Sequence, residues 1–486
     1  MELISTRNRN EKADALSAVL RGIAPDGGLY VPSSFPELPD MASLLPLRYD
    51  ALAARVLGLF FEGIDDMAAL TRAAYTDFSD ADVAPVKRIG EGRYVMELWH
   101  GPTLAFKDMA LSVLPRLMTA AMRRECGRDV LILVATSGDT GKAALEGFCD
   151  VPHTKIVVFY PNEGVSDMQR LQMTTQRGDN THVAAVRGNF DDAQSGVKAI
   201  FADSAFAAKA AEKGYALSSA NSINFGRLAP QVAYYVWAYA QLCARGDVAE
   251  GEKVNFVVPT GNFGNILAAY YAKRMGLPIG RLICASNRNN VLTDFFRRGE
   301  YTLKREFYKT MSPSMDILIS SNLERLLFEL TGRDEAAVRD MMAQLKQTGR
   351  YDIGDAARQA LEADFWADWC GEDETLAAIR RTWEQDGYLA DTHTAVALGV
   401  YEKYRALGDT TKTVVVSTAS PYKFPGDVLS ALGGGEAISP FDAAKRLGEK
   451  THTQVPHQLA ALEKSAVRHN TVVDIAHMPD AVLRVL

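Results

Sequence analysis

What the chain lacks narrows its reading first. Its five cysteines, Cys126, Cys149, Cys243, Cys284 and Cys370, are odd in number, widely spaced and free of any Cys-x-x-Cys pair. That excludes a small disulfide scaffold and a thiolate zinc site, and it fits reduced, mostly buried thiols. No metal is expected. Positive charge is not in excess either: 53 Lys and Arg face 60 Asp and Glu, for a net charge of −7 and a pI near 5.7. Without a cationic field the chain is a poor general partner for nucleic acid or for a membrane surface, although small anions can still be held locally. Long apolar runs are missing, since stretches such as Val130 to Ala135 fall far short of the roughly 20 residues that cross a bilayer. The first residues, MELISTRNRNEKADALSAVL, mix Glu2, Arg7, Arg9, Glu11 and Lys12 where a secretion signal would be apolar. A soluble, cytoplasmic protein, mature from Met1, is the expectation. No low-complexity tract and no repeat of fixed period is found.

What is present is enough material for a large interior: 486 residues, 47% hydrophobic and 23% charged, at average globular composition. From residue 130 onward, brief β-branched runs alternate with Gly-containing loops and amphipathic helical stretches, the pattern of βαβ units. The predicted strands are Val130 to Ala135, Lys155 to Tyr160, His182 to Val186, Val254 to Val258, Leu282 to Ala285 and Thr413 to Ser417. Most lack in/out alternation, so a parallel sheet covered by helices on both faces follows. Between them, Leu114, Leu117, Met118 and Ala121 repeat at helical spacing within 111–124 and are expected to pack on the sheet. Residues 1–92 are expected to form a mainly helical amino-terminal unit, ahead of a strand at Tyr94 to Trp99. Residues 93–300 then form an α/β core, 301–390 a charged helical insertion or third lobe, and 391–486 a return to the core with a carboxyl-terminal tail.

Five segments could carry chemistry. In WHGPTLAFKDMAL (99–111) a turn leads to Lys107 at a helix start, facing the edge of a sheet where open α/β folds bind ligands. Screened by Leu104 and Phe106, Lys107 reads as an amine nucleophile or as an ordinary solvated charge. ATSGDTGKAALEGF (135–148) offers glycines that free backbone amides for an anion. A Walker A reading fails there, because the chain has Thr136 and Ala143 where that motif needs Gly and Ser or Thr. VVPTGNFGNILAAYYAK (257–273) reads as a phosphate cradle built on Gly261 and Gly264, with Thr260, Asn262 and Asn265 as donors, or as a helix start with clearance. SSANSINFGRLAPQ (218–231) crowds Asn221, Ser222, Asn224 and Arg227 ahead of a helix, and Arg227 could fork onto a second phosphate or stand as a surface charge beyond a capped helix. VVVSTASPYKFP (414–425) ends a buried strand in Ser417, Thr418 and Ser420, where a hydroxyl could face a ring nitrogen or cap the turn.

Taken in this order along the chain, the segments resemble the threonine synthase family of pyridoxal-phosphate enzymes. STR and PDGGLYVP near the amino end, HGPTLAFKD, TSGDTGKAA, NSINFGR, PTGNFGN, SMDILISSNLER (314–325) and DTHTAVA (391–397) carry the resemblance, which spans nearly the whole chain and points to the long, yeast-like and enterobacterial branch. It implies an α/β fold of pyridoxal-phosphate fold type II, similar to the tryptophan synthase β subunit. Such a fold has open, mostly parallel sheets with helices on both faces. The implied activity is a lyase reaction that converts O-phospho-L-homoserine and water to L-threonine and phosphate, with pyridoxal 5'-phosphate as cofactor and a monomer or homodimer as the working unit.

By that resemblance Lys107 is joined covalently to the cofactor with Phe106 beside the ring. Gly261, Asn262, Phe263, Gly264 and Asn265 hold its phosphate, and Thr418 faces its ring nitrogen. Ser137, Asp139 and Thr140 match the loop that takes the substrate carboxylate. Asn221, Ser222, Asn224 and Arg227 match the segment that grips the substrate phosphate. Two positions depart from many relatives: Asn265 stands where they carry Asp, and Ser420 where they often carry His. His393 is expected as a buried, hydrogen-bonded histidine. The alternatives are a threonine or serine dehydratase of the same fold and a non-catalytic relative. No amino-terminal lobe of the kind activated by adenosylmethionine is evident.

Overall fold

A computed structural model describes residues 1–125, 128–136, 138–163 and 165–486, with the backbone alone for Asp191. The β-branched runs form strands that divide into two sheets. The larger has six strands in the order Phe365–Trp369, Ile279–Ser286, Val254–Pro259, Thr413–Ser417, Arg93–Glu97 and Val86–Gly90. All pair in parallel except Val86–Gly90, which runs antiparallel along one edge. The second sheet is wholly parallel, in the order Thr471–Val473, Thr181–Val186, Thr154–Pro161, Asp129–Ala135 and Tyr215–Ser218. The central strands are buried along their whole length, as continuous apolar runs require when helices cover both faces. Among the described residues, no helix is long and apolar enough to cross a membrane.

The helix Phe225–Ala244 runs through the middle and is buried on nearly every side, because its apolar residues are not confined to one stripe. The predicted helix over 111–124 is broken into Asp108–Leu111 and Leu114–Glu125, with Pro115 opening the second piece where its missing N–H costs nothing. Leu114, Leu117, Met118 and Ala121 are fully buried along it.

Two stretches hold more strand than their composition suggests. The amino-terminal residues include a three-stranded antiparallel sheet of Lys12–Asp14, Glu2–Ser5 and Tyr30–Pro32, and Val86–Gly90 joins the large sheet. In the charged stretch after residue 300, Phe365–Trp369 adds the other edge of that sheet, pairing with Ile279–Ser286. An edge strand is only half buried, and this one lies between charged helical segments that mask it.

Candidate active site

Parallel strands end at the same edge, so the turns that follow them meet there. Arg93–Glu97, Thr413–Ser417 and Val254–Pro259 of the large sheet, and Asp129–Ala135 of the small one, end at a shared cavity of about 360 Å3. Phe106, Lys107, Thr140, Asn221, Ser222 and Arg227 line it. Gly261, Asn262, Phe263, Gly264, Asn265 and Thr418 line it as well.

Backbone pairing fixes the segment that carries Lys107. Ala105 bridges Ala419, the Phe106 amide donates to the Thr418 carbonyl at 2.8 Å, and the Ser420 amide donates to the Leu104 carbonyl at 3.0 Å. Leu104 holds φ = 61°, a left-handed conformation that a bulky residue rarely adopts and that the surrounding contacts must enforce. The Lys107 amine lies 4.7 Å from the centroid of the Phe106 ring, 3.4 Å from Ser314 Oγ and 3.8 Å from Asp139 Oδ2. Burial lowers its pKa to about 8, with Asp139 working against the shift and Arg227 and Lys423 adding to it.

The turn between Val254–Pro259 and the helix Gly264–Arg274 is held by its own side chains. Thr260 Oγ1 donates to the Val258 carbonyl at 2.7 Å, and Asn265 Nδ2 to the Pro259 carbonyl at 2.9 Å. The Asn265 amide group is therefore held by the turn, Nδ2 on the Pro259 carbonyl and Oδ1 on the Ile266 amide. Phe263 holds φ = 67° and supplies no side-chain cap; Asn265 Oδ1 takes the Ile266 amide at 2.9 Å, so the amides ahead of Ile266 are the ones the helix start offers to the cavity. A Cβ on Gly261 would stand 2.6 Å from the Ser314 carbonyl oxygen, so only glycine fits that approach.

Asn224 does not line the cavity. Its Nδ2 donates to the carbonyls of Val19 and Ser219, both at 2.9 Å, and its Oδ1 accepts the Gly226 amide. It caps a helix, so the expectation of a substrate contact is corrected. Asp139 is a second correction. Its Oδ1 meets Lys423 Nζ at 2.8 Å and Gln169 Nε2 at 3.0 Å, while Oδ2 accepts from Ser314 Oγ at 3.3 Å. Burial works to raise this carboxyl, but Lys423 and Lys107 hold it well below the usual carboxylate range. A buried anion so paired is a counter-ion and repels a substrate carboxylate. Ser137 lies outside the described residues.

Arg227 is buried and its Nη1 donates to the Ala220 carbonyl, whereas its Nε has no hydrogen-bond partner. Burial lowers its pKa to about 10, which leaves it charged at neutral pH. Ser420 caps the following turn through the Tyr422 amide.

Ser314 and Asn322 escape the sequence pattern, and His393 does more there than fill the core. His393 is buried as expected but also reaches the cavity: its Nδ1 lies 2.9 Å from Asp391 Oδ2, which places the ring proton there, and its Nε2 accepts the Ser314 amide at 3.1 Å. Ser314 thereby sits against Lys107. Asn322 Nδ2 donates to the carbonyls of Asn262 at 3.0 Å and Ser222 at 3.1 Å, tying two of the turns together. The SMDILISSNLER run held this signal, since it crowds hydroxyls and amides without a helical pattern.

Families described as threonine synthase N terminus, pyridoxal-phosphate dependent enzyme, and threonine synthase C-terminal match residues 2–75, 83–364 and 394–482. The chain belongs to the threonine synthase family. A threonine synthase of Pseudomonas aeruginosa is 39% identical over 476 residues, covering 96% of this chain and 98% of that protein. Human threonine synthase-like 1 is 42% identical over 483 residues, covering 93% of this chain and 64% of the human protein, so the chain spans less than two thirds of that relative. The crystal structure of PLP-bound threonine synthase from Brucella melitensis aligns with a TM-score of 0.89 and 38% identity, over 100% of this chain and 99% of that one.

Membership of the threonine synthase family makes the fold pyridoxal-phosphate fold type II and the cofactor pyridoxal phosphate. The residues present fit that group. A buried amine suits its aldehyde, and the glycine-opened helix start suits its phosphate.

Proposed function

We propose that the chain is a threonine synthase, converting O-phospho-L-homoserine and water to L-threonine and phosphate by β,γ-elimination and replacement. The observation that carries this reading is the pairing, in one cavity, of the buried Lys107 amine with two separate groups of anion donors. One suits a cofactor phosphate and the other a substrate phosphate. A dehydratase of unphosphorylated threonine or serine needs the first alone.

In this reading Lys107 would bind the cofactor aldehyde with Phe106 beside the ring. Gly261, Asn262, Phe263 and Gly264 would hold its phosphate through the helix start, with Asn265 keeping the turn in shape. Thr418 would offer a hydroxyl to the ring nitrogen. When bound, pyridoxal phosphate supplies an electron sink that makes an amino-acid α-proton acidic enough to leave. Lys107 Nζ would be placed to take that proton, and an amine whose pKa is lowered to about 8 could both accept and return it near neutral pH. Asn221, Ser222 and Arg227 would grip the substrate phosphate, with Thr140 near its carboxylate. Asp139 stabilises the charged form of Lys107.

The test is product analysis on the purified full chain. Threonine and phosphate released in equal amounts from O-phospho-L-homoserine are expected. Ammonia and a keto acid from free threonine or serine would identify a dehydratase instead. Protein that binds the cofactor yet turns over neither substrate would be a non-catalytic relative. Replacing Arg227 by Ala should raise KM for the phosphorylated substrate much more than it weakens cofactor loading, and equal loss of both would refute its assignment.

A further inference from the structure

Lys423 is a lysine 1% exposed, in the turn after Thr413–Ser417, and its charge faces no solvent. Burying an ammonium costs several kcal/mol unless its partners repay it, so its placement calls for a reason. Its Nζ lies 2.8 Å from Asp139 Oδ1 and 2.8 Å from Gln172 Oε1, and it donates to the Thr103 carbonyl at 3.2 Å. The Lys107 amine reaches the same carboxylate on its other oxygen at 3.8 Å. Two buried lysines thus share one counter-ion, and the one remote from the cavity holds it more closely.

We propose that Lys423 is a positioning residue for Lys107: by taking the nearer oxygen of Asp139, it leaves the reactive amine with only a loose share of the negative charge, so that amine gives up its proton readily. The other charged groups around Lys107 are Arg227, which acts in the same direction as Lys423, and Asp108, which opposes it. His393 approaches from the cavity side through Ser314. Asp108 is itself held by Thr103, whose amide and hydroxyl donate to its two oxygens at 2.8 and 2.6 Å, so the turn ahead of Lys107 and the pocket of Lys423 share a residue. If Lys423 were neutral or absent, Asp139 would belong to Lys107 alone and the amine would hold its proton to higher pH. The inference rests on Lys107 being the reactive amine of the proposed function.

The experiment reads Lys107 directly, in the full chain freed of cofactor. Labelling by acetic anhydride is followed against pH and quantified on the Lys107 peptide by mass spectrometry. The parent should show a midpoint of about 8. Lys423→Gln, which keeps a hydrogen-bond donor but removes the charge, should move the midpoint up by about one unit, and labelling at pH 8 should then slow about fivefold. Lys423→Arg, which keeps the charge, should stay near the parent. An unmoved midpoint in folded Lys423→Gln overturns the proposal, as does an equal shift in Lys423→Arg. A parent midpoint at the ordinary lysine value of 10.5 overturns it with no variant needed. Because labelling needs no turnover, a shifted midpoint in a protein that makes no threonine would sink the proposed function and leave this inference standing.

Discussion

Two strand-to-helix turns meet at the cavity, both rich in glycine and both facing Lys107, yet they do opposite things. At Pro259 to Asn265 the side chains tie back onto the strand, and the helix Gly264–Arg274 begins with no side-chain cap. At Thr136 to Gly141 the Thr136 hydroxyl already accepts the amides of Gly138 and Gly141, at 3.0 and 2.9 Å, and the first helical residue is the buried Asp139. One turn gives up only the Ile266 amide, to Asn265 Oδ1 at 2.9 Å, while the other has two amides on a single hydroxyl and carries an anion in its first turn. Glycine content alone does not separate them. The side chain that occupies the amides does.

The largest effect is expected at Asp139. Replacing it by Asn leaves Lys423 and Lys107 buried without their counter-ion, and a loss of about 3–5 kcal/mol in chemical denaturation is expected. If Asp139→Asn folds as firmly as the parent, the carboxylate is not the keystone of that turn. Thr136→Val strips two buried amides of their acceptor and should cost about 2 kcal/mol by the same measurement. At the other turn, Gly261→Ala should cost about 1–2 kcal/mol of stability, because its Cβ collides with the Ser314 carbonyl, and should weaken cofactor binding at least tenfold, about 1.4 kcal/mol. Fluorescence titration with pyridoxal phosphate would show this, and an unchanged dissociation constant would mean that the turn does not clasp the phosphate.

The smallest effect separates two buried carboxyls. Burial raises Asp108 to about 6 in the fold from its ordinary 3.8, whereas Asp139 is depressed by its lysines. Between those two Asp108 values the folded protein binds more protons there than the unfolded chain, so its contribution to stability grows as pH falls from about 6 toward 3.8. The contribution of Asp139 has the opposite sign, being fully present above the ordinary value and lost in acid. Asp108→Asn should therefore flatten the stability profile between about pH 4 and 6, and an unchanged slope there would show that Asp108 is not the group responsible.

The sequence carried the sheet strands well, because continuous Val, Ile and Leu runs between helical patterns leave a buried parallel strand as the consistent reading. Thr413–Ser417 lies where the pattern puts it, and Asp129–Ala135 differs by a single residue at its start. Lys107, the glycines of the 261–264 turn and Arg227, each at a strand end or helix start in the sequence pattern, all line the cavity. What escaped was partnership across the chain. Ser314 meets Lys107 across 207 residues, and the Lys423 bond to Gln172 spans 251. Local pattern says nothing about such distances. Asn224 and Asp139 show the same limit from the other side: their polar groups were visible, but not that the fold had already used them.

Lys107 is assigned as the residue that joins the cofactor. Full-length protein mixed with pyridoxal phosphate, reduced with borohydride and digested, should carry the cofactor's mass on the Lys107 peptide and lose it in Lys107→Ala. An adduct on Lys423 or Lys142, or none at all, would contradict it.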